Sequence, residues 1–180
     1  MERLKLATVW LGGCSGCHMS FLDLDEFLID LAERADIVYS PLIDIKQYPE
    51  AVDVVLVEGA VANQEHLELI RKVRRNSRVL ISFGDCAVTG NVSAVRNSVA
   101  TAFEVLEQSY IKQTDRDPQI PAEPGVVPAL LDPVLPVHSV VKVDAYVPGC
   151  PPPAARIRAI LEQVLAGVTP HLEGREIQFG

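Results

Sequence analysis

The sequence predicts an α/β fold built on a doubly wound parallel sheet, and two observations carry the prediction. Short apolar runs alternate with amphipathic segments along the chain, the rhythm of strands joined by crossover helices. The runs are nearly continuous in valine, leucine and isoleucine, as expected of strands covered on both faces.

Leu4 to Leu11 is the first such run, closed by Gly12-Gly13 in a tight turn. A helix follows in which Phe21, Leu24, Leu28 and Leu31 share one face while Asp23, Glu26, Asp30 and Glu33 take the other. Ile37 to Ile43 is a weaker strand candidate, and Asp53 to Val57, with three valines and a leucine, a strong one. Asn63 suits the N-cap of a helix that turns Leu67, Ile70 and Val73 inward. Val79 to Phe83 reads as a buried strand ending at Gly84, and Val95, Val99, Phe103 and Leu106 predict the helix after it. Val140 to Val147 is the last strand. A final helix begins after Pro151-Pro152-Pro153, buries Ile157, Ile160, Leu161 and Val164, and is capped by Gly167.

One stretch breaks the rhythm. At about 112–137 the chain carries six of its thirteen prolines and keeps neither helix nor strand period, which predicts a long proline-rich loop. Its aliphatic residues, Ile120, Val126, Val127, Leu130, Leu131 and Val134, argue for burial against something, another chain included.

With 180 residues, 48% hydrophobic and 22% charged, the chain is expected to form a single domain over 1–180 that buries its core without disulfides. Sixteen Lys and Arg against twenty-four Asp and Glu leave a charge of −8, a field that repels polyphosphates and argues against nucleic acid as a partner. The dense basic stretch of Arg71, Lys72, Arg74, Arg75 and Arg78 lies at a helix end, where cations complement the negative pole. No window reaches the roughly 18 apolar residues of a membrane span. The N-terminal run lacks the length and cleavage site of a secretory signal, so the expected location is the cytoplasm. In that compartment four cysteines read as metal ligands or redox thiols.

Each cysteine follows a predicted strand: Cys14 and Cys17 the first, Cys86 the run ending at Phe83, Cys150 the run ending at Val147. Loops leaving the carboxyl ends of parallel strands gather at one edge, so thiols far apart in sequence can meet there. Four thiolates suit a tetrahedral zinc or an iron–sulfur cluster. Structural zinc sites usually draw on two close Cys/His pairs, whereas this chain has one Cys-x-x-Cys and two isolated cysteines. The flanking Gly12, Gly13, Gly16, Gly84 and Gly149, with Pro151 after the last cysteine, favour a [4Fe–4S] cluster. A thioredoxin-like pair at Cys14 and Cys17 is a third reading, and it leaves Cys86 and Cys150 as small buried hydrophobes.

The stretches Trp10-Leu-Gly-Gly-Cys-Ser-Gly-Cys17, Val57-Glu-Gly-Ala60, Phe83-Gly-Asp-Cys-Ala-Val-Thr-Gly-Asn91 and Val147-Pro-Gly-Cys-Pro-Pro-Pro153 resemble the small subunit of [NiFe] hydrogenases, and most closely the short form found in cytoplasmic, bidirectional NAD-reducing hydrogenases. The resemblance implies a flavodoxin-like fold and one proximal [4Fe–4S] cluster held by Cys14, Cys17, Cys86 and Cys150. It implies a hydrogenase large subunit carrying the nickel–iron site as one partner, and iron–sulfur and flavin (diaphorase) subunits that reduce NAD as others. The chain would be an oxidoreductase subunit relaying electrons, with no catalytic acid, base or nucleophile of its own. FMN in this chain is possible on fold grounds but is not predicted. Relatives often have glutamate before the first ligand, where this chain has Gly13; Glu58 is a substitute to consider, and a solvated or structurally paired carboxylate is the plainer reading. His18 reads as first-turn packing, with cluster tuning the sharper alternative, and Asp85 and Thr89 as residues ordering the Cys86 loop. Two other readings stay open: the cluster-bearing subunit of a respiratory NADH:quinone oxidoreductase, which usually has adjacent cysteines where Ser15-Gly16 intervenes here, and a zinc-stabilised interaction module.

Overall fold

A computed structural model describes residues 3–177; the ends of the expected 1–180 domain lie outside the described residues. Strand β1 (Leu4–Trp10) leads into helix α1 (Gly16–Leu22), helix α2 (Phe27–Arg34) and strand β2 (Ala35–Tyr39). Strand β3 (Val52–Glu58) and the short β4 (Val61–Asn63) precede helix α3 (Gln64–Asn76) and strand β5 (Ser77–Phe83). Short helices α4 (Asp85–Thr89), α5 (Asn91–Ala94) and α6 (Ala102–Glu107) lead to strand β6 (Leu130–Leu135), strand β7 (Ala145–Val147) and helix α7 (Ala154–Leu165).

Five strands form one parallel sheet in the order β2-β1-β3-β5-β7. This is the flavodoxin-like order, and its direction reverses between β1 and β3, so the carboxyl ends of those strands diverge into a crevice. Alternate residues of the central strands face opposite layers. Leu6, Val54, Leu56, Ile81 and Phe83 pack against Phe21, Phe27 and Leu31 of α1–α2 and against Ile157, Ile160 and Leu161 of α7. Ala7, Val9, Val55, Val57 and Leu80 pack against Ile70 and Val73 of α3 and against Val137.

Several local expectations hold in detail. The Asn63 side chain caps α3 by accepting the His66 N–H at 2.8 Å. α7 starts after Pro153, buries the four aliphatic residues expected of it, and ends with Gly167 at φ +76°. In the basic stretch, Arg74 donates to the carbonyls of Ser77 and Arg78 and pairs with Asp144, so one cation of the group closes the helix end.

Five expectations are corrected. The helix expected to carry Phe21 through Leu31 is two helices, because Asp25 adopts φ +49° between them. The edge strand β2 begins at Ala35 and ends at Tyr39, before the Ile37–Ile43 span is complete. No single helix carries Val95, Val99, Phe103 and Leu106: Gly90 at φ +88° stops α4, Thr101 starts α6 with a capping box to Glu104, and Val95, Val99 and Phe103 are 59%, 77% and 64% exposed. Inside the proline-rich stretch, Leu130–Leu135 is a strand that pairs antiparallel with β4, and Val134 alone of the six aliphatic residues is buried. The last sheet strand is also shorter than expected, Ala145–Val147.

Asp144 joins β5 to the approach of β7. Its carboxylate accepts the Leu80 N–H at 2.9 Å and the Arg74 guanidinium, while its own N–H donates to the Leu80 carbonyl. Burial opposes ionisation of this carboxyl, yet the Leu80 N–H and Arg74 outweigh it and hold its pKa below the ordinary value. A carboxyl depressed in the folded state stabilises the fold above its unfolded pKa of about 3.9, and that contribution is lost as pH falls through the folded value. Asp144→Asn is therefore expected to lower stability by about 1.5–3 kcal/mol at neutral pH in urea denaturation, with the gap to wild type closing below about pH 3.9.

Candidate metal centre

The three cysteine-bearing loops all leave the carboxyl ends of sheet strands. The loop after β1 carries Cys14 and Cys17 to the mouth of the β1/β3 crevice. It is laced to the loop after β3, since Leu11 N–H donates to the Glu58 carbonyl at 2.8 Å and Gly12 and Ala60 exchange N–H···O bonds at 2.9 Å. Gly59 makes this crossing possible. A Cβ there would lie 2.9 Å from backbone carbons of Leu11 and Gly12, and its φ of +90° suits glycine.

Glu58 ends β3 beneath this loop and is 1% exposed. Its Oε1 accepts the Cys17 N–H at 3.4 Å, and its Oε2 accepts the His18 N–H at 3.0 Å and pairs with His18 Nδ1. The carboxylate thus meets the free N–H groups in the first turn of α1. His18, 3% exposed, also sets its ring edge-on to Phe83 at 6.4 Å. Both residues hold the Cys17 loop in place, so Glu58 is a paired structural carboxylate and His18 is packed as the plainer reading had it.

The other two loops are fastened to each other by Asp85. Its N–H donates to the Gly149 carbonyl at 2.9 Å, and its Oδ1 accepts the Gly149 N–H at 2.6 Å. This exchange, buried, places Cys86 beside Cys150. Thr89 Oγ1 donates to the Asp85 carbonyl at 2.9 Å, so the two residues do order the Cys86 loop. Two further ties brace the Cys150 segment: Ser20 Oγ donates to the Pro152 carbonyl at 2.6 Å, and Arg156 donates to the Pro148 carbonyl at 2.5 Å.

All four thiols are free, with Cys17 buried, Cys86 half-buried, and Cys14 and Cys150 exposed. Burial pushes the Cys17 thiol strongly up, and the nearby charges of Glu58, Cys86, Cys14 and Cys150 push in the same direction. The loops that carry them adjoin: a Cβ on Gly84 would lie 2.1 Å from Cys17 Sγ, and one on Gly16 would lie 3.2 Å from Cys14 Sγ and 4.0 Å from Pro151 Cβ. Burial likewise raises Cys86, against the backbone N–H groups of Ser93 and Val92, which lower it. The thiols of Cys17 and Cys86, raised by burial, become thiolate ligands when positive charge arrives among them. Among the described residues, no three His, Cys, Asp or Glu side chains stand close enough to hold a single metal ion. A soft, four-sulfur donor set spread around an open mouth fits an iron–sulfur cluster.

Residues that the sequence reading did not single out complete the rim. Asn91 Nδ2 donates to Cys150 Sγ at 3.4 Å, and Ser93 Oγ donates to the Gly12 carbonyl at 2.6 Å, tying α5 to the first cysteine loop. Their one sequence signal was Asn91 following Gly90, a pair suited to positive φ, and both residues adopt it. His66 Nδ1 accepts the Ala62 N–H at 3.3 Å, His138 sets its ring edge-on to Tyr146, and His171 pairs with Glu173.

Residues 14–164 match the family described as NADH ubiquinone oxidoreductase, 20 Kd subunit. The delta subunit of the NAD-reducing hydrogenase HoxS of Cupriavidus necator is 39% identical over 92% of this chain and 80% of its own length. A subunit of the F420-non-reducing hydrogenase of Methanothermobacter thermautotrophicus is 39% identical over 99% of this chain, which spans 56% of that relative's length. A chain in the crystal structure of an NAD+-reducing [NiFe]-hydrogenase in the H2-reduced state superposes with a TM-score of 0.92 at 39% identity, covering 99% of this chain and all of its own. The [NiFeSe] hydrogenase of Desulfomicrobium baculatum shares the fold, at 18% identity and a TM-score of 0.56 over 96% of this chain and 68% of its own.

Gly84 gives the site its sharpest steric test. It lies at φ +82°, and a Cβ there would sit 2.1 Å from Cys17 Sγ. Gly84→Ala is expected to displace the Cys17 sulfur and to lose the metal held at this site, read by elemental analysis of the purified complex as the difference from wild type. Unchanged metal content would show that Cys17 is not part of the donor set.

Proposed function

The chain belongs to the NADH ubiquinone oxidoreductase 20 Kd subunit family, among its hydrogenase subunits, and we propose that it carries one [4Fe–4S] cluster on Cys14, Cys17, Cys86 and Cys150. Bound there, the cluster would accept and pass on single electrons between the nickel–iron site of a large subunit and iron–sulfur and flavin subunits that reduce NAD, in either direction. The observation that carries this reading is the meeting of four free thiols from three strand ends at one edge of the sheet.

The chain's own residues supply position and field. Glu58, through the Cys17 and His18 N–H groups, and Asp85, through Gly149, fix the sulfurs on either side of the site. The exposed Cys14 and Cys150 leave the cluster edge open, so partner subunits would cover it and exclude water. The exposed Val95, Val99 and Phe103 and the apolar cleft of about 500 Å³ between α6 and the proline-rich stretch support that part of the surface as an interface. No described helix is long and apolar enough to cross a membrane, and we place the complex in the cytoplasm.

The 39% identity to the NAD-reducing hydrogenase subunit supports this assignment over a quinone reductase. One Cys-x-x-Cys with two isolated cysteines supports a cluster over a single zinc, whose structural sites usually draw on two close Cys/His pairs. Anaerobic electron paramagnetic resonance of the complex under hydrogen is expected to show a reducible cluster signal with about four iron atoms per chain. Cys86→Ala and Cys150→Ala are each expected to lose that signal. One zinc in this subunit, and no paramagnetic signal that depends on Cys86 or Cys150, would overturn the assignment.

A further inference from the structure

The environment of the four sulfurs is uneven. On one side, the buried Glu58 carboxylate accepts the N–H of Cys17 and places negative charge beside that thiol. On the other, the turn from Gly90 to Ser93 aims hydrogen-bond donors at Cys86 and Cys150. The Asn91 carboxamide donates from Nδ2 to Cys150 Sγ at 3.4 Å, and the N–H groups of Val92 and Ser93 face the Cys86 sulfur. The Ser93 hydroxyl has one proton, which it gives to the Gly12 carbonyl, so it acts as a strut and its backbone N–H as the donor.

Asn91 is held in this pose. Its φ of +32° is tolerated by asparagine better than by most residues, and its N–H donates to Thr89 Oγ1 at 3.3 Å, the same hydroxyl that donates to the Asp85 carbonyl. The residue that fastens the Cys86 loop to the Cys150 loop is therefore linked through Thr89 to the residue that hydrogen-bonds the Cys150 sulfur.

We propose that Asn91 sets the reduction potential of the cluster upward by donating a hydrogen bond to Cys150 Sγ, offsetting the negative charge of Glu58 on the Cys17 side. The inference rests on the cluster assignment above. Reduction adds one negative charge, and a donor on a ligand sulfur stabilises the reduced state more than the oxidised one. No bond to Asn91 forms or breaks; its effect is electrostatic.

The test is a redox titration of the purified complex, followed by paramagnetic resonance, with iron content measured on each sample. Asn91→Gly accepts the positive φ and removes the donor; Asn91→Asp keeps the shape and puts an acceptor in its place. The glycine variant is expected to retain its iron and to be about tenfold harder to reduce, a fall of about 59 mV for a one-electron couple. The aspartate variant is expected to fall further. Iron-loaded variants that titrate at the wild-type potential would overturn the inference while leaving the cluster assignment intact. Loss of iron from Asn91→Gly would also overturn it, by making Asn91 a structural strut. A wild-type complex in which this subunit holds no cluster would overturn the assignment itself, and the inference with it.

Discussion

The paired hydrogen bonds between Asp85 and Gly149 are the constraint on which the arrangement of the site depends. A parallel sheet brings strand ends to one edge, but it does not fix the height or angle of the loops that leave them. The buried Asp85 carboxylate does so for two of the three strand ends, joining residues 64 positions apart at 2.6 Å. A charge-assisted bond of this kind is stronger than a neutral one and leaves little freedom to its partners. Glu58 performs the matching task for the third strand end, through the first turn of α1.

These two carboxylates also impose a cost. Each is buried, and Glu58 stands next to a thiol that must become negative to bind metal. The cluster's iron compensates that charge when bound, so the site is most favourable when loaded. The Asn91 donor to Cys150 Sγ works in the same direction. The chain thus builds a site whose electrostatic balance is completed by its cofactor and whose open edge is completed by other subunits.

Much of the sheet was legible because its signals are local. Asp53 to Val57 reads as a buried strand from its own residues, Asn63 as a cap from its neighbours, and α7 from the proline triplet before it. Val95, Val99 and Phe103 misled because helical spacing marks an apolar face without saying whether this chain covers it; here they are exposed. β6 was hidden by Pro133 and Pro136, which argue against a strand interior but are tolerated in a two-stranded ribbon. At the site, the cysteines were legible from their places after strands. The bonds from Asp85 to Gly149, Glu58 to His18 and Asn91 to Cys150 were not, because each joins residues at least 40 positions apart and depends on the folded sheet.

The central claim is that four thiols meeting at the sheet edge hold an iron–sulfur cluster. Mössbauer spectroscopy of the iron-57-labelled complex, with iron, sulfide and zinc determined on the same sample, tests it most directly. The account predicts one [4Fe–4S] cluster in this subunit beyond those of its partners, absent when Cys17 is replaced by serine. A spectrum identical in wild type and Cys17→Ser, or zinc in place of iron at this subunit, would contradict it.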